Sequence, residues 1–185
     1  MAETKQPWQK ISSDTVYDNP WIRVEDHLAV NPAGSKSQYG KICFKNRPVT
    51  ILAVDHQHYL YLVGQHRYTL DEYSWELPMG GAPLSERPMG AAQRELREET
   101  GLTAKVWLEL MHLHTSNSVT DESGFVYLAR DLAKGAPDPE DIEDLSVMKL
   151  PLQEAVDWVF QGKITDAMSA AGILRLAADS DNLLA

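Results

Sequence analysis

The sequence predicts an α+β fold, with helices covering a mixed β-sheet as an αβα sandwich rather than a regular βαβ winding. Three observations carry that expectation. Short runs rich in β-branched and aromatic residues fill the first part of the chain, one helical segment interrupts them, and helical periodicity returns only near the end. The chain has 185 residues, 43% of them hydrophobic and 24% charged, so it can bury a core, and a collagenous or disordered polymer is excluded.

Taken in order, residues 16–29 (VYDNPWIRVEDHLA) alternate partially between apolar and polar, and a turn cluster from Asn31 to Gly34 follows. Residues 37–44 (SQYGKICF) supply the returning arm of an N-terminal hairpin. Residues 49–54 (VTILAV) and 59–63 (YLYLV) read as buried strands around a turn, extending an antiparallel sheet. Gly80, Gly81, Ala82 and Pro83 read as a loop. Residues 88–100 have helical composition, with Pro88 suited to the first turn and Gly101 to the position just past the end. Further strands are expected at 105–111 and 125–129, on either side of the polar stretch 114–123. An acidic, proline-bearing loop at 137–144 leads to a short strand at 146–150, then to helices at 152–161 and about 166–178.

Lys and Arg total 17 against 27 Asp and Glu, a formal net charge of -10. Such a chain repels phosphate backbones and anionic lipid, so neither nucleic acid nor a membrane is expected as a partner. If the substrate is itself anionic, bound metal cations are the commonest reason for an acidic surplus. The single cysteine, Cys43, allows no intrachain disulfide and no thiolate-rich metal site, and is expected to pack in the core. No apolar run resembles a signal peptide or approaches the roughly 20 residues needed to span a bilayer, so a cytoplasmic setting is expected.

The chemistry concentrates in the helical segment. Glu95, Glu98 and Glu99 stand at i, i+3 and i+4, which puts three carboxylates on one face. Met89, Ala92, Leu96 and Thr100 form an adjacent stripe expected to face the core, leaving the acids at its rim. A Glu-rich helix is often no more than a solvated face. These acids, however, sit near the helix C-terminus, where the macrodipole disfavours negative charge, so they do not serve the helix itself. Hard cations such as Mg2+ or Mn2+ take carboxylate oxygens together with substrate phosphate oxygens, and this array offers the first half. Arg94 is spaced to pair with Glu98, leaving Glu95 and Glu99 for metal.

Gly80, Glu86, Arg94, Glu95, Leu96, Glu98, Glu99, Gly101 and Leu102 together resemble a complete Nudix box, the signature of the Nudix hydrolases. The resemblance implies a Nudix-type αβα sandwich over residues 47–185. It also implies an N-terminal antiparallel β-extension over residues 1–46 that makes nucleotide-site and dimer contacts. It implies a loop-helix-loop that binds Mg2+ or Mn2+, two or three ions with substrate bound, against a diphosphate. Position by position, Glu95 and Glu99 are implied as principal ligands, Glu98 as a shared ligand and catalytic residue, and the Met79 carbonyl as a further ligand. Glu86 and Arg94 would support that site, and Gly80 and Gly101 would serve backbone geometry.

Outside the box, Gly64-Gln65-His66-Arg67-Tyr68 and Trp75-Glu76-Leu77-Pro78 resemble segments of the ADP-ribose and nucleoside diphosphate sugar pyrophosphatases. That subgroup implies Arg67 as a diphosphate contact and Glu76 as a contact to the nucleoside side or the inner metal shell. The implied reaction splits a nucleoside diphosphate sugar into nucleoside monophosphate and sugar phosphate. Asn117 stands where ADP-ribose-specific members carry proline, so ADP-ribose and GDP- or ADP-linked hexoses remain open. A general base is sought in the acidic loop, with Glu140 and Glu143 ahead of Asp141. Tyr17 and Trp21, with Trp8, either stack on a base or belong to the core or a dimer interface. The subgroup implies a homodimer. His112 and His114 are expected to be structural. Two alternatives stand beside this reading, a nucleoside triphosphate pyrophosphohydrolase and a non-catalytic nucleotide-sugar sensor, and the intact set of Glu86, Glu95, Glu98 and Glu99 favours catalysis.

Overall fold

The computed structural model describes residues 7–135 and 145–185. Two compact units emerge from its internal contacts: Met1–Asn46 with Ser116–Glu122, and Arg47–Thr115 with Ser123–Ala185.

In the first unit, β1 (Gln9–Asp18), β2 (Ile22–Val30) and β3 (Lys36–Phe44) form an antiparallel sheet in the order β1-β2-β3. Residues 16–29 are therefore not one strand. Asn19 breaks them: its Oδ1 accepts the N–H groups of Trp21 at 2.8 Å and Ile22 at 2.7 Å, and Pro20 completes the turn. Asn31 makes the second turn in the same way, accepting from Ala33 and Ser35. The 116–122 segment lies along β3, where Ile42 N–H donates to the Val119 carbonyl and Lys41 pairs with Asp121 at 2.7 Å. Cys43 is buried, as expected.

The second unit contains β4 (Asn46–Ala53, its first residue assigned to the other unit), β5 (Tyr59–Arg67), β6 (Glu72–Glu76), β7 (Met79–Pro83) and α1 (Pro88–Thr100). It continues through β8 (Leu102–His114), β9 (Ser123–Lys134), β10 (Ser146–Pro151), α2 (Leu152–Phe160), α3 (Ala167–Ala178) and α4 (Ser180–Leu183). The mixed sheet has the order β7-β4-β9-β8, with β4 and β9 parallel, and a separate antiparallel sheet has the order β10-β5-β6.

Side-chain alternation along β4 and β9 builds the layers. Val49, Ile51 and Ala53, with Tyr127 and Ala129, face Ala91, Ala92 and Leu96 of α1. Leu52 and Val54, with Val126 and Leu128, face Ala155 and Val156 of α2 and Ile173 and Leu176 of α3. Both faces of these strands are covered, so they read as continuous apolar runs and not as alternating ones. The expected αβα sandwich around a mixed sheet is thus present.

Three expectations need correction. The strands at 49–54 and 59–63 are not neighbours in one sheet: after a single bridge between Val54 and Leu60 they part into different sheets. Runs apolar on both faces carry no pattern that selects a partner strand. Residues 80–83 are not a loop but lie in β7, an edge strand, where glycine and a terminal proline are tolerated because half the ladder is unpaired. The core stripe of α1 centres on Ala91, Ala92 and Leu96, while Met89 and Thr100 are only partly buried.

Candidate active site

Helix α1 is the platform. Pro88 occupies its first turn, and Gly101 closes it in the left-handed region at φ 67°, its N–H donating to the Arg97 carbonyl at 2.9 Å. The small residues Ala91 and Ala92 let the helix lie close on the sheet, which presents Glu95, Glu98 and Glu99 along the rim.

Arg94 sits at the centre of the carboxylates. Its Nη1 donates to Glu95 Oε1 and Glu98 Oε2, both at 2.8 Å, and its Nη2 donates to the Gly81 carbonyl at 3.2 Å and Glu86 Oε2 at 3.5 Å. Burial opposes the charge on this guanidinium, but Glu95 and Glu98 outweigh burial and hold it protonated above its ordinary range. The expected Arg94–Glu98 pair is present. Glu95 shares that guanidinium with Glu98, the same Nη1 donating to both acids.

Glu99 faces the strand entering the box, where its Oε2 accepts the Met79 N–H at 2.8 Å. Next along that strand, Gly80 lies against Glu95 so closely that a methyl group there would overlap the Glu95 carboxyl group. Glycine at this position therefore serves close approach. On the neighbouring sheet, Arg67 and Glu76 form a two-pronged ion pair across β5 and β6, with Nε donating to Oε1 at 3.0 Å and Nη2 to Oε2. The Glu76 side chain is 5% exposed. Its hydrogen bond raises the Arg67 pKa against the effect of burial, and the charges of Asp166 and Glu99 add to the rise.

Among the described residues, no group of three His, Cys, Asp or Glu side chains is gathered to hold a metal ion. The donor chemistry nevertheless fits a hard divalent cation. Glu86, Glu95 and Glu98 already converge on one cationic centre, and the carboxyl group of Glu95 lies on the open backbone of Gly80.

Glu140 and Glu143, with Asp141, lie outside the described residues. Tyr17 and Trp21 are 54% and 65% exposed, and Trp8 is exposed too, so these rings are not core residues of their own unit. His112 stacks on Phe125 with ring centroids 4.8 Å apart and contacts His114 edge-on, in keeping with a structural role.

Three neighbours of the site gave no motif signal. Asp166 caps α3 by accepting the Ser169 N–H at 2.7 Å, and its charge reaches Arg67. The Asp-x-x-Ser spacing marks a helix start in the sequence but not what lies beside it. The fully buried Ser169 hydroxyl accepts the Leu77 N–H at 3.0 Å and so fastens the strand that leads into the box. Arg47, at the start of β4, donates to the Glu86 carbonyl at 2.7 Å.

Known proteins resemble both the sequence and the fold. The nucleoside diphosphate sugar hydrolase N-terminal domain matches residues 8–42, and the NUDIX domain matches residues 45–168, well over half of the chain. An ADP-ribose pyrophosphatase of Mycobacterium tuberculosis is 38% identical over 133 residues, covering 70% of this chain and 64% of that protein. The chain therefore spans just under two thirds of that relative. An ADP-ribose pyrophosphatase of Bacillus subtilis is 33% identical over 167 residues, covering 89% and 87% respectively. A crystal structure of an ADP compounds hydrolase superposes with a TM-score of 0.88 over 98% of both chains at 19% identity, which establishes the shared fold. By the match to residues 45–168 and the folded box at its centre, the chain belongs to the NUDIX domain family.

Proposed function

We propose that this protein hydrolyses the diphosphate bond of nucleoside diphosphate sugars, of which ADP-ribose and GDP- or ADP-linked hexoses are the candidates, to a nucleoside monophosphate and a sugar phosphate. One observation carries the reading: a complete carboxylate box, folded on α1, occurs in a chain that also matches a nucleoside diphosphate sugar hydrolase N-terminal domain. The two relatives named ADP-ribose pyrophosphatase support the same substrate class.

Glu95, Glu99 and Glu98, with the Met79 carbonyl, are the proposed ligands of Mg2+ or Mn2+, two or three ions being taken up with substrate. A bound divalent cation supplies charge neutralisation at the diphosphate and lowers the pKa of nearby water. Arg94 holds Glu95 and Glu98 at one spacing, and Glu86 steadies Arg94. Arg67 donates to the diphosphate, and Glu76, its partner across the sheet, fixes the plane of the guanidinium. Glu143 or Glu140 accepts the proton of the attacking water, and Tyr17 and Trp21 stack on the base. The division at residue 46, a homodimeric assembly and a cytoplasmic setting complete the proposal. Among the described residues no helix is long and apolar enough to cross a membrane.

The test is hydrolysis of a panel of ADP-ribose, GDP-mannose, an ADP-hexose and GTP, with and without Mg2+, with products separated by chromatography. Metal-dependent nucleoside monophosphate from the sugar compounds is the expected result. Pyrophosphate from GTP alone would reassign the protein to nucleoside triphosphates, and binding without turnover would make it a sensor.

A further inference from the structure

Arg47 lies outside the box and outside every motif described above, yet its guanidinium reaches into the box. Its Nη2 donates to the backbone carbonyl of Glu86 at 2.7 Å and to that of Leu84 at 3.4 Å. The turn it grips is otherwise closed by the Glu86 N–H donating to the Pro83 carbonyl at 2.8 Å, and Leu84 at its tip is exposed. Beyond the carbonyl that Arg47 holds, the Glu86 side chain faces the carboxylate cluster, where its Oε2 meets Arg94 at 3.5 Å. A contiguous path therefore runs from Arg47 through the Glu86 backbone to Arg94, and from Arg94 to Glu95 and Glu98.

The guanidinium is placed for this grip at a cost. Among the described residues its Nε is buried without a hydrogen-bond partner, and an unmet buried N–H is destabilising. One guanidinium nitrogen, Nη2, makes both contacts from the foot of β4, a strand buried on both faces, and so ties the turn before α1 to the sheet.

We propose that Arg47 is a positioning residue for the metal-dependent hydrolysis: by holding the Glu86 carbonyl it sets the direction of the Glu86 carboxylate, and through Arg94 the spacing of Glu95 and Glu98. The proposal rests on the metal-dependent reading given above. Outer partners that orient ligands change metal affinity or activity by about 10- to 100-fold when removed, and that is the range expected for Arg47→Gln.

The experiment is calorimetric titration of the metal-free full chain with Mn2+, for wild type, Arg47→Gln, Arg47→Lys, Glu86→Gln and the Arg47→Gln/Glu86→Gln double variant, with the melting temperature of each recorded. Arg47→Gln is expected to weaken Mn2+ binding about 10- to 100-fold. Arg47→Lys, which keeps a charged donor but not the reach and planarity of the guanidinium, is expected to recover part of the loss. In the Glu86→Gln background the Arg47 change is expected to add little, since both act on one path. A folded Arg47→Gln that binds Mn2+ like wild type would overturn the proposal, as would fully additive losses in the double variant. If Arg47→Gln does not fold, Arg47→Lys decides: weakened Mn2+ binding supports the proposal and wild-type binding overturns it. Failure of the wild type itself to bind Mn2+ would overturn the metal-dependent reading, and the proposal with it.

Discussion

Glu99 and Gly80 separate folding from chemistry most cleanly. The Glu99 carboxylate accepts the Met79 N–H, and the amide oxygen of glutamine can accept it too. Glu99→Gln is therefore expected to keep the wild-type melting temperature within a few degrees while turnover falls roughly 100-fold or more, because under the proposed ligation several kcal/mol of charge stabilisation depend on this carboxylate. Near-normal steady-state rates in that variant would remove Glu99 from the ligand set. At Gly80, an added methyl meets the flexible end of Glu95 and not a rigid backbone, so the side chain yields and the fold survives. Gly80→Ala should lower activity by roughly tenfold or more and raise the Mg2+ concentration needed for half-maximal rate, with little change in the denaturation midpoint.

Helix α1 and the turn before β5 show how single elements are secured. Gly101 adopts φ 67°, where an L side chain costs about 1–2 kcal/mol, so Gly101→Ala should lower the urea midpoint accordingly and leave the activity of the folded fraction unchanged. Asp55 secures β10 to the β4–β5 turn by an ion pair to Lys149, and accepts the N–H groups of Gln57 at 2.9 Å and Tyr59 at 3.0 Å. Burial would raise its pKa, but these partners outweigh burial and hold it below the ordinary 3.8. A carboxylate depressed in the folded state contributes stability that is complete above its unfolded value and is lost as pH falls through the folded one. Acid unfolding followed from pH 5 downward should therefore be shallower for Asp55→Asn than for wild type, and superimposable acid limbs would contradict the assignment.

For the molecule as a whole, the formal charge of -10 and the carboxylates crowded on α1 make divalent cations the natural stabilising ligand. A cation that binds only the folded chain adds about 2.7 kcal/mol at a hundred times its dissociation constant. Mn2+ should therefore raise the melting temperature in a concentration-dependent way, a chelator should reverse the effect, and the Glu95→Gln/Glu99→Gln variant should not respond. A melting temperature indifferent to Mn2+ in the wild type would count against metal binding at the box.

What the sequence determined by itself is local and periodic. Pro88, the Glu95-Glu98-Glu99 spacing and Gly101 fix α1 and its carboxylate face, because capping and helical period act within a few residues. Asn19 also acts locally, but its strand break inside residues 16–29 is masked in the sequence because Val16 to Ala29 continue an alternating pattern on both sides of it. Only the tertiary structure decided which strands pair, since β4 and β5 are apolar on both faces and such strands carry no register signal. It likewise decided that Arg67 meets Glu76, that Asp166 and Ser169 stand behind the box, and that Arg47 grips Glu86 from outside it. Those contacts join residues from separate strands and helices, and sequence spacing records a neighbour only when both partners lie on one element.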